Sequence, residues 1–132
     1  MGRAASATGH SQGYVAAHAT DGQTGTYWES VNQAFPQSLT VDLGAERTVG
    51  RLVLRLPAAW GTRTQTFSVL GSPDGSAWST LKAPAPYVFS EGVNTVAVPL
   101  PAAAGVRHLR ITFSGNTGWP AGQVSELEAY SS

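Results

Sequence analysis

The segment His18-Ala-Thr-Asp-Gly-Gln-Thr-Gly-Thr-Tyr-Trp28 concentrates oxygen donors in a stretch suited to turning. Gly22 permits a sharp bend, which lets backbone carbonyls turn inward beside the carboxylate of Asp21 and the hydroxyl of Thr26. A calcium ion takes roughly six to eight such oxygens at about 2.3–2.6 Å, and a mixture of carboxylate and carbonyl suits it. Plain turns share this composition, so the segment alone admits both a metal loop and an ordinary bend.

Two other stretches carry groups suited to a hydroxyl-rich ligand. Pro57-Ala-Ala-Trp60-Gly-Thr-Arg63 and Asn116-Thr-Gly-Trp119-Pro-Ala-Gly-Gln123 each set a tryptophan in a Gly/Pro-rich loop near fork-shaped polar side chains. A neutral sugar offers hydroxyls that need paired polar partners and one C–H face that stacks on an aromatic ring. Trp60, Arg63, Asn116, Trp119 and Gln123 are therefore candidates to hold a poly- or oligosaccharide. The competing role for either tryptophan is folding back over the open end of the core.

Other chemistries are excluded or disfavoured. Gly9-His10-Ser11-Gln12-Gly13 matches the G-x-S-x-G nucleophile elbow, but that motif needs a strand before it and a helix after it, and neither is present in the pattern. No nucleophile–base pair or matched pair of carboxylates stands out, so the chain reads as non-enzymatic. His10, His18 and His108 are too far apart to suggest a zinc site, and His108 reads as a solvent-facing strand residue. The absence of Cys removes disulfides and thiolate chemistry. Eight Lys+Arg against eight Asp+Glu leave a net charge of zero and no basic patch for nucleic acid. Only one of those cations is Lys, which argues against an anionic membrane as partner. The longest apolar run, Val96 to Val106, is about half a membrane span and is interrupted by Pro99 and Pro101. Met1-Gly2 formally opens a myristoylation pattern, but residues 1–4 read better as added for expression.

The elements that must position these residues are strands. At 132 residues a single domain, 1–132, is expected. Leu39, Val41 and Leu43 alternate, as do Leu52, Leu54 and Leu56, and then Phe67 and Val69. Ser72-Pro-Asp-Gly-Ser76 supplies hairpin chemistry, with a returning strand through Trp78 and Leu81. Further strands are expected at Tyr87–Ser90, Asn94–Leu100, Val106–Phe113 and Val124–Tyr130. No helical period runs over ten residues. The fold class is all-β, a sandwich or jelly roll.

With these elements placed, Asp21-Gly22-x-x-x-Thr26-x-Trp28, Val41-Asp42-Leu43-Gly44, Ser72-x-Asp74-Gly75-x-x-Trp78 and Ser125-Glu126-Leu127-Glu128-Ala129-Tyr130 occur in the order found in discoidin domains. These are the coagulation factor 5/8 type C domains, which overlap with family 32 carbohydrate-binding modules. The chain resembles them from about residue 5 to 131. The resemblance implies an eight-stranded β-sandwich jelly roll, galactose-binding-domain-like, with its chain ends close together and a structural calcium ion. It implies calcium held by the carboxylates of Asp21 and Glu126, the hydroxyl and carbonyl of Thr26, and the carbonyls of His18, Gln23 and Ser125. It supports Arg63 as a sugar contact and suggests that loops at His10 and Glu29 face the same end. Trp28 and Trp78 fall in its framework motifs and are expected in the core. The usual His-Asn-Arg galactose triad is incomplete here, so α-glucan, β-glucan, chitosan and galactan all stay open. The implied role is that of a secreted bacterial module, monomeric and non-catalytic, that anchors a glycan-active enzyme to polysaccharide. The alternative is a protein- or phospholipid-binding adhesion domain.

Overall fold

A computed structural model describes residues 5–7, 9, 16–20, 26–31, 35–57, 60–118 and 121–130. Eight strands follow in order: β1 (Ala5–Ala7), β2 (Trp28–Glu29), β3 (Gln37–Arg55), β4 (Arg63–Ser72), β5 (Ser79–Phe89), β6 (Thr95–Asn116), β7 (Gln123–Val124) and β8 (Glu126–Tyr130). A single 3-10 turn, Ala16–Ala19, lies between β1 and β2. Every strand pairing is antiparallel, and no α-helix occurs among the described residues.

The long strands β3 and β6 define the architecture. They pair from Gln37↔Phe113 to Asp42↔His108 and again from Arg51↔Pro99 to Arg55↔Thr95, with register shifts between. Those irregularities bend both strands, and Gly44 (φ 86°) and Gly105 (φ 73°) accept the left-handed backbone at the bend. The first half of β3 and the second half of β6 thereby form one layer with β1, β4 and β5. The remaining halves form the other layer with β8. Inward residues of the first layer (Leu39, Val41, Phe67, Val69, Leu109, Ile111, Phe113) meet Leu52, Leu54, Val96, Val98 and Leu127 of the second in one continuous core. This is the expected β-sandwich jelly roll. The first and last strands both pair with β3, β1 at Leu39–Val41 and β8 at Arg51–Arg55.

Several boundaries differ from expectation. The strands expected around Leu81 and at Tyr87–Ser90 are one strand, β5. Pro84 and Pro86 do not break it because β5 is the sheet edge, where a missing N–H costs no ladder bond on the open side. Trp28 is 0 % exposed, as expected for the core. Trp78 is not in the core. It is half-buried on the outside of the first layer, with the Arg110 guanidinium 4.0 Å from its ring centroid and the His108 ring at 6.5 Å. Asp74 serves the hairpin turn, accepting from the amides of Ser76 (2.8 Å) and Ala77 (3.0 Å) and paired with the Ser72 hydroxyl at 3.1 Å.

Across the bend, Arg107 donates to both carboxylate oxygens of Asp42, at 2.9 and 3.2 Å, and the Gly44 amide adds a third bond at 2.8 Å. The arginine first, then that amide, hold the Asp42 pKa down to about 2 from an ordinary 3.8. A depressed carboxyl pKa stabilises the fold above its unfolded value, and the contribution is lost as pH falls toward 2. Carboxyl NMR titration of Asp42 is expected to give that low value in the wild type and a return toward 3.8 in Arg107→Gln. An unchanged midpoint in the variant would contradict the assignment of cause.

Candidate functional site

The short β2–β7 sheet brings the candidate residues to one end of the sandwich. Glu29 pairs with Gln123 across it, and Trp28 with Val124. Gln65 ties this sheet to β4. Its side-chain amide donates to the Gln123 carbonyl (3.0 Å) and accepts from the Gln123 N–H (2.9 Å), imitating one rung of a strand ladder. Gln65 is itself 0 % exposed and shares its inward face with Phe67 and Val69. Burying that amide is tolerable because both of its polar ends are matched.

Gln123 is the hub. Its Oε1 accepts from Arg63 Nη1 at 2.7 Å and from Asn116 Nδ2 at 3.1 Å, and its Nε2 donates to Glu29 Oε1 at 2.8 Å. Two donors on one side and a carboxylate on the other fix the amide's orientation. Asn116 is similarly engaged, donating to the Ala121 carbonyl (2.9 Å) and accepting from the Gly118 amide (2.9 Å). Gln123 (3 % exposed) and Glu29 (6 %) are buried. Gln123 is therefore committed to its neighbours, while Asn116 is half-buried with its side-chain N–H groups engaged. Glu29 lies at this end as expected, but inside strand β2 and not on an open loop.

Arg63 is what the network presents. Its Nε donates to the Gly61 carbonyl at 3.2 Å, while Nη2 donates to nothing among the described residues. The guanidinium carbon lies 4.7 Å from the centroid of the Trp60 ring, and Tyr27 meets that ring edge-on at 4.5 Å and 79°. Burial pushes the Arg63 pKa below its usual value, and the Glu29 carboxylate and Tyr27 oppose the shift. The group still carries its charge at neutral pH. Gly118 is required here by close approach: a Cβ on it would lie 2.8 Å from Arg63 Cβ.

The Trp60 loop is held by a residue that the sequence did not flag. Asn94 is fully buried, adopts φ 48°, and donates to the carbonyls of Pro57 and Trp60, both at 2.9 Å. Trp60 is half-buried and packed against the core edge. Gln65 and Tyr27 were also missed. A polar residue at an inward position of an alternating strand was the available signal for Gln65.

His10 and Trp119 lie outside the described residues, as do Asp21 and Gln23 of the expected calcium set. His18 falls in the 3-10 turn Ala16–Ala19. Thr26 and Glu126 stand two residues beyond the paired Trp28 and Val124, on the same side of the small sheet's register. Ser125 marks the switch from β7 to β8, its amide and hydroxyl both bonded to the Arg55 carbonyl at 2.8 Å. Glu126 is a buried carboxylate, 5 % exposed. Those donors are all hard oxygens, which fits calcium in kind. Among the described residues no three His, Asp or Glu side chains converge.

The described arrangement offers one cation, one buried carboxylate and an aromatic corner, which can bind and orient hydroxyls. It holds no described nucleophile–base pair. The described sandwich is also shared with solved structures. The family 32 carbohydrate-binding module of AlyQ, in complex with 4,5-unsaturated mannuronic acid, is 24% identical with a TM-score of 0.80, covering 98% of this chain and 95% of that one. A truncated AlyQ with family 32 module and alginate lyase domains is 25% identical with a TM-score of 0.78, over 96% of this chain and 32% of that one. The family 32 module from C. perfringens NanJ, in complex with galactose, is 21% identical (TM-score 0.81; 96% and 92% covered). Chitosan-binding module 1 from the chitosanase/glucanase of Paenibacillus sp. IK-5 is 26% identical (TM-score 0.75; 98% and 95% covered). No curated protein matches the chain by sequence. The F5/8 type C domain model matches residues 4–127, and over that span the chain belongs to the F5/8 type C, or discoidin, domain family.

Proposed function

We propose that this chain is a non-catalytic carbohydrate-binding module that anchors an extracellular glycan-active enzyme to its polysaccharide. The observation that carries the reading is the Gln123 network, which holds Arg63 over Trp60 with one guanidinium nitrogen uncommitted among the described residues. The two N–H groups of that nitrogen each meet a hydroxyl, and the held side chain has little rotamer freedom left to lose on binding. The neighbours described above bind saccharides or are joined to lyase domains, which supports the same role. The module acts as a monomer and outside the cell, where its polymer lies.

Pull-down on insoluble α-glucan, β-glucan, chitosan and galactan tests the reading. One of them is expected to retain the wild type, and Arg63→Ala is expected to bind about tenfold more weakly, the loss of a charged hydrogen bond. Wild type left in the supernatant by all four would reject it. A second reading, protein or phospholipid adhesion, is favoured by one observation. Val31 (42 % exposed), Val88 (56 %) and Val93 (65 %) stand on segments adjoining the site. Sedimentation with liposomes, instead of with glycan, would select it.

Calcium belongs to the proposal as a structural ion, held by Asp21, Thr26 and Glu126 with the carbonyls of His18, Gln23 and Ser125. It would neutralise two carboxylates and tie the loop before β2 to the start of β8. With a dissociation constant on the order of 10 μM, 1 mM calcium stabilises the fold by about 2.7 kcal/mol. The melting point should then rise roughly 5–10 °C over that in chelator. Asp21→Ala should abolish the rise and Asp74→Ala should keep it, because Asp74 serves the hairpin. Equal wild-type melting points with and without calcium would count against the ion.

A further inference from the structure

Four of the chain's eight prolines lie in described strands, as two pairs spaced two apart: Pro84 and Pro86 in β5, Pro99 and Pro101 in β6. A strand tolerates proline where the ring nitrogen turns away from the ladder, on an edge or at a bulge. Both pairs stand at open edges. Among the described residues β5 pairs with β4 alone, and the part of β6 from Thr95 to Pro99 pairs with β3 alone.

The register gives the direction of each nitrogen. Pro86 lies opposite Thr66, between the pairs Gln65↔Tyr87 and Phe67↔Ala85. Without an N–H of its own, Pro86 cannot form a hydrogen-bonded pair with Thr66, so the flanking pairs are the bonded ones. The main chain of Pro86 therefore faces the open side, and that of Val88 does so by alternation. Pro84 lies in the bulge that the register shift between Phe67 and Val69 makes in β5, and it offers no N–H in any direction. Pro99 stands opposite Arg51 in an unbroken run of pairs, so it too turns its nitrogen outward. Pro84, Pro86, Val88 and Pro99 are all exposed, so no described element covers these edges.

At eleven residues β5 is a long open edge, against three residues in β1 and five in β8. A bare edge of that length is a template for a second copy. Two β5 strands meeting antiparallel about Pro86 set Pro86 against Pro86 and each Pro84 against Val88 of the other copy. The central pair then makes no hydrogen bond, and each flanking pair makes one in place of two. We propose that Pro84 and Pro86 hold β5 shut against a second copy of this chain, so that the module stays single where copies crowd on one polymer. The crowding rests on the function proposed above; the closed edge does not.

The experiment is sedimentation velocity of the whole chain, from about 10 μM to about 1 mM, on the wild type and three variants. The wild type should sediment as a monomer throughout. Pro84→Thr/Pro86→Thr returns two donors per chain, four per dimer, and should tighten self-association about a hundredfold or more, from none measurable to a dimer within this range. Its amides at positions 84, 86 and 88 should gain protection from hydrogen exchange as concentration rises, and the rest of the chain should not. Pro73→Thr, in the hairpin turn, should stay monomeric. Pro86→Thr alone should dimerise more weakly than the double variant. It decides the matter if the double variant fails to fold, because its new N–H replaces no ladder bond. A wild type that dimerises through β5 overturns the proposal. So do folded Thr variants that stay monomeric at about 1 mM, a Pro73→Thr chain that dimerises equally, and new protection that falls away from β5. Pull-down on glycan by the monomeric wild type reads the proposed function separately: its failure rejects that function and leaves the closed edge standing.

Discussion

Replacing Gln123 by alanine is expected to lower stability by about 3 kcal/mol and to abolish glycan binding at the Arg63 site. Gln123 is 3 % exposed and its amide answers three groups at once. Without it, the Glu29 carboxylate loses its only described hydrogen bond while staying 6 % exposed. A buried charge left without a partner costs its full desolvation, more than the net worth of an ordinary hydrogen bond. For a chain of this length that is a fall of about 10 °C in melting point. Arg63 loses its 2.7 Å anchor at the same time, so binding fails for a geometric reason even where the fold survives. Adding Glu29→Ala should restore much of the stability and none of the binding. Gln123→Glu should also destabilise, since it replaces the donor to Glu29 by a second carboxylate. A Gln123→Ala protein melting like the wild type would mean that Glu29 reaches water.

The strands were legible wherever a core face alternates over three or more inward positions, as at Leu39-Val41-Leu43. β1 and β2 were not, because three residues and two residues are too short to show a period; the strand expected at Val124–Tyr130 is divided at Ser125 between β7 and β8. The merging of strands into β3 and β6 was also hidden. The polar stretch from Gly44 to Thr48 shows no alternation, whereas the strand runs across it through register shifts, with Arg47↔Val106 paired inside it. At the site, residue types at loop ends pointed to Arg63, Asn116 and Gln123, and the structure brings all three together. Their roles were not visible. Whether an amide faces a ligand or is already engaged by Arg63, Glu29 and a backbone carbonyl depends on contacts between β2, β4, β6 and β7, which no local pattern encodes. Trp78 shows the same limit from the other side: its hairpin motif was readable, but the outer sheet face that receives it, through Arg110, is a tertiary fact.

The two described tryptophans near the small sheet should separate fold from function. Trp28 is 0 % exposed, its ring lies 5.7 Å from that of Phe113, and its Nε1 donates to the Gly9 carbonyl at 3.1 Å. Trp28→Ala leaves a cavity in the core and should cost about 3–5 kcal/mol, with a melting point lower by roughly 10–20 °C. Trp28→Phe should recover most of that, since an aromatic ring still faces Phe113. Trp60 is packed against the core edge only in part, with Tyr27 on its side and Arg63 above it. Trp60→Ala should cost about 1–2 kcal/mol of stability, the worth of those ring contacts. Its effect on glycan affinity should be tenfold or more, because Arg63 loses the surface that holds its fork level. Thermal melts paired with calorimetric titration, run below the lowest melting point, place each variant on both axes. If Trp60→Ala lost as much stability as Trp28→Ala and kept its affinity, Trp60 would be core lid alone. The guanidinium would then need no ring beneath it to grip a sugar.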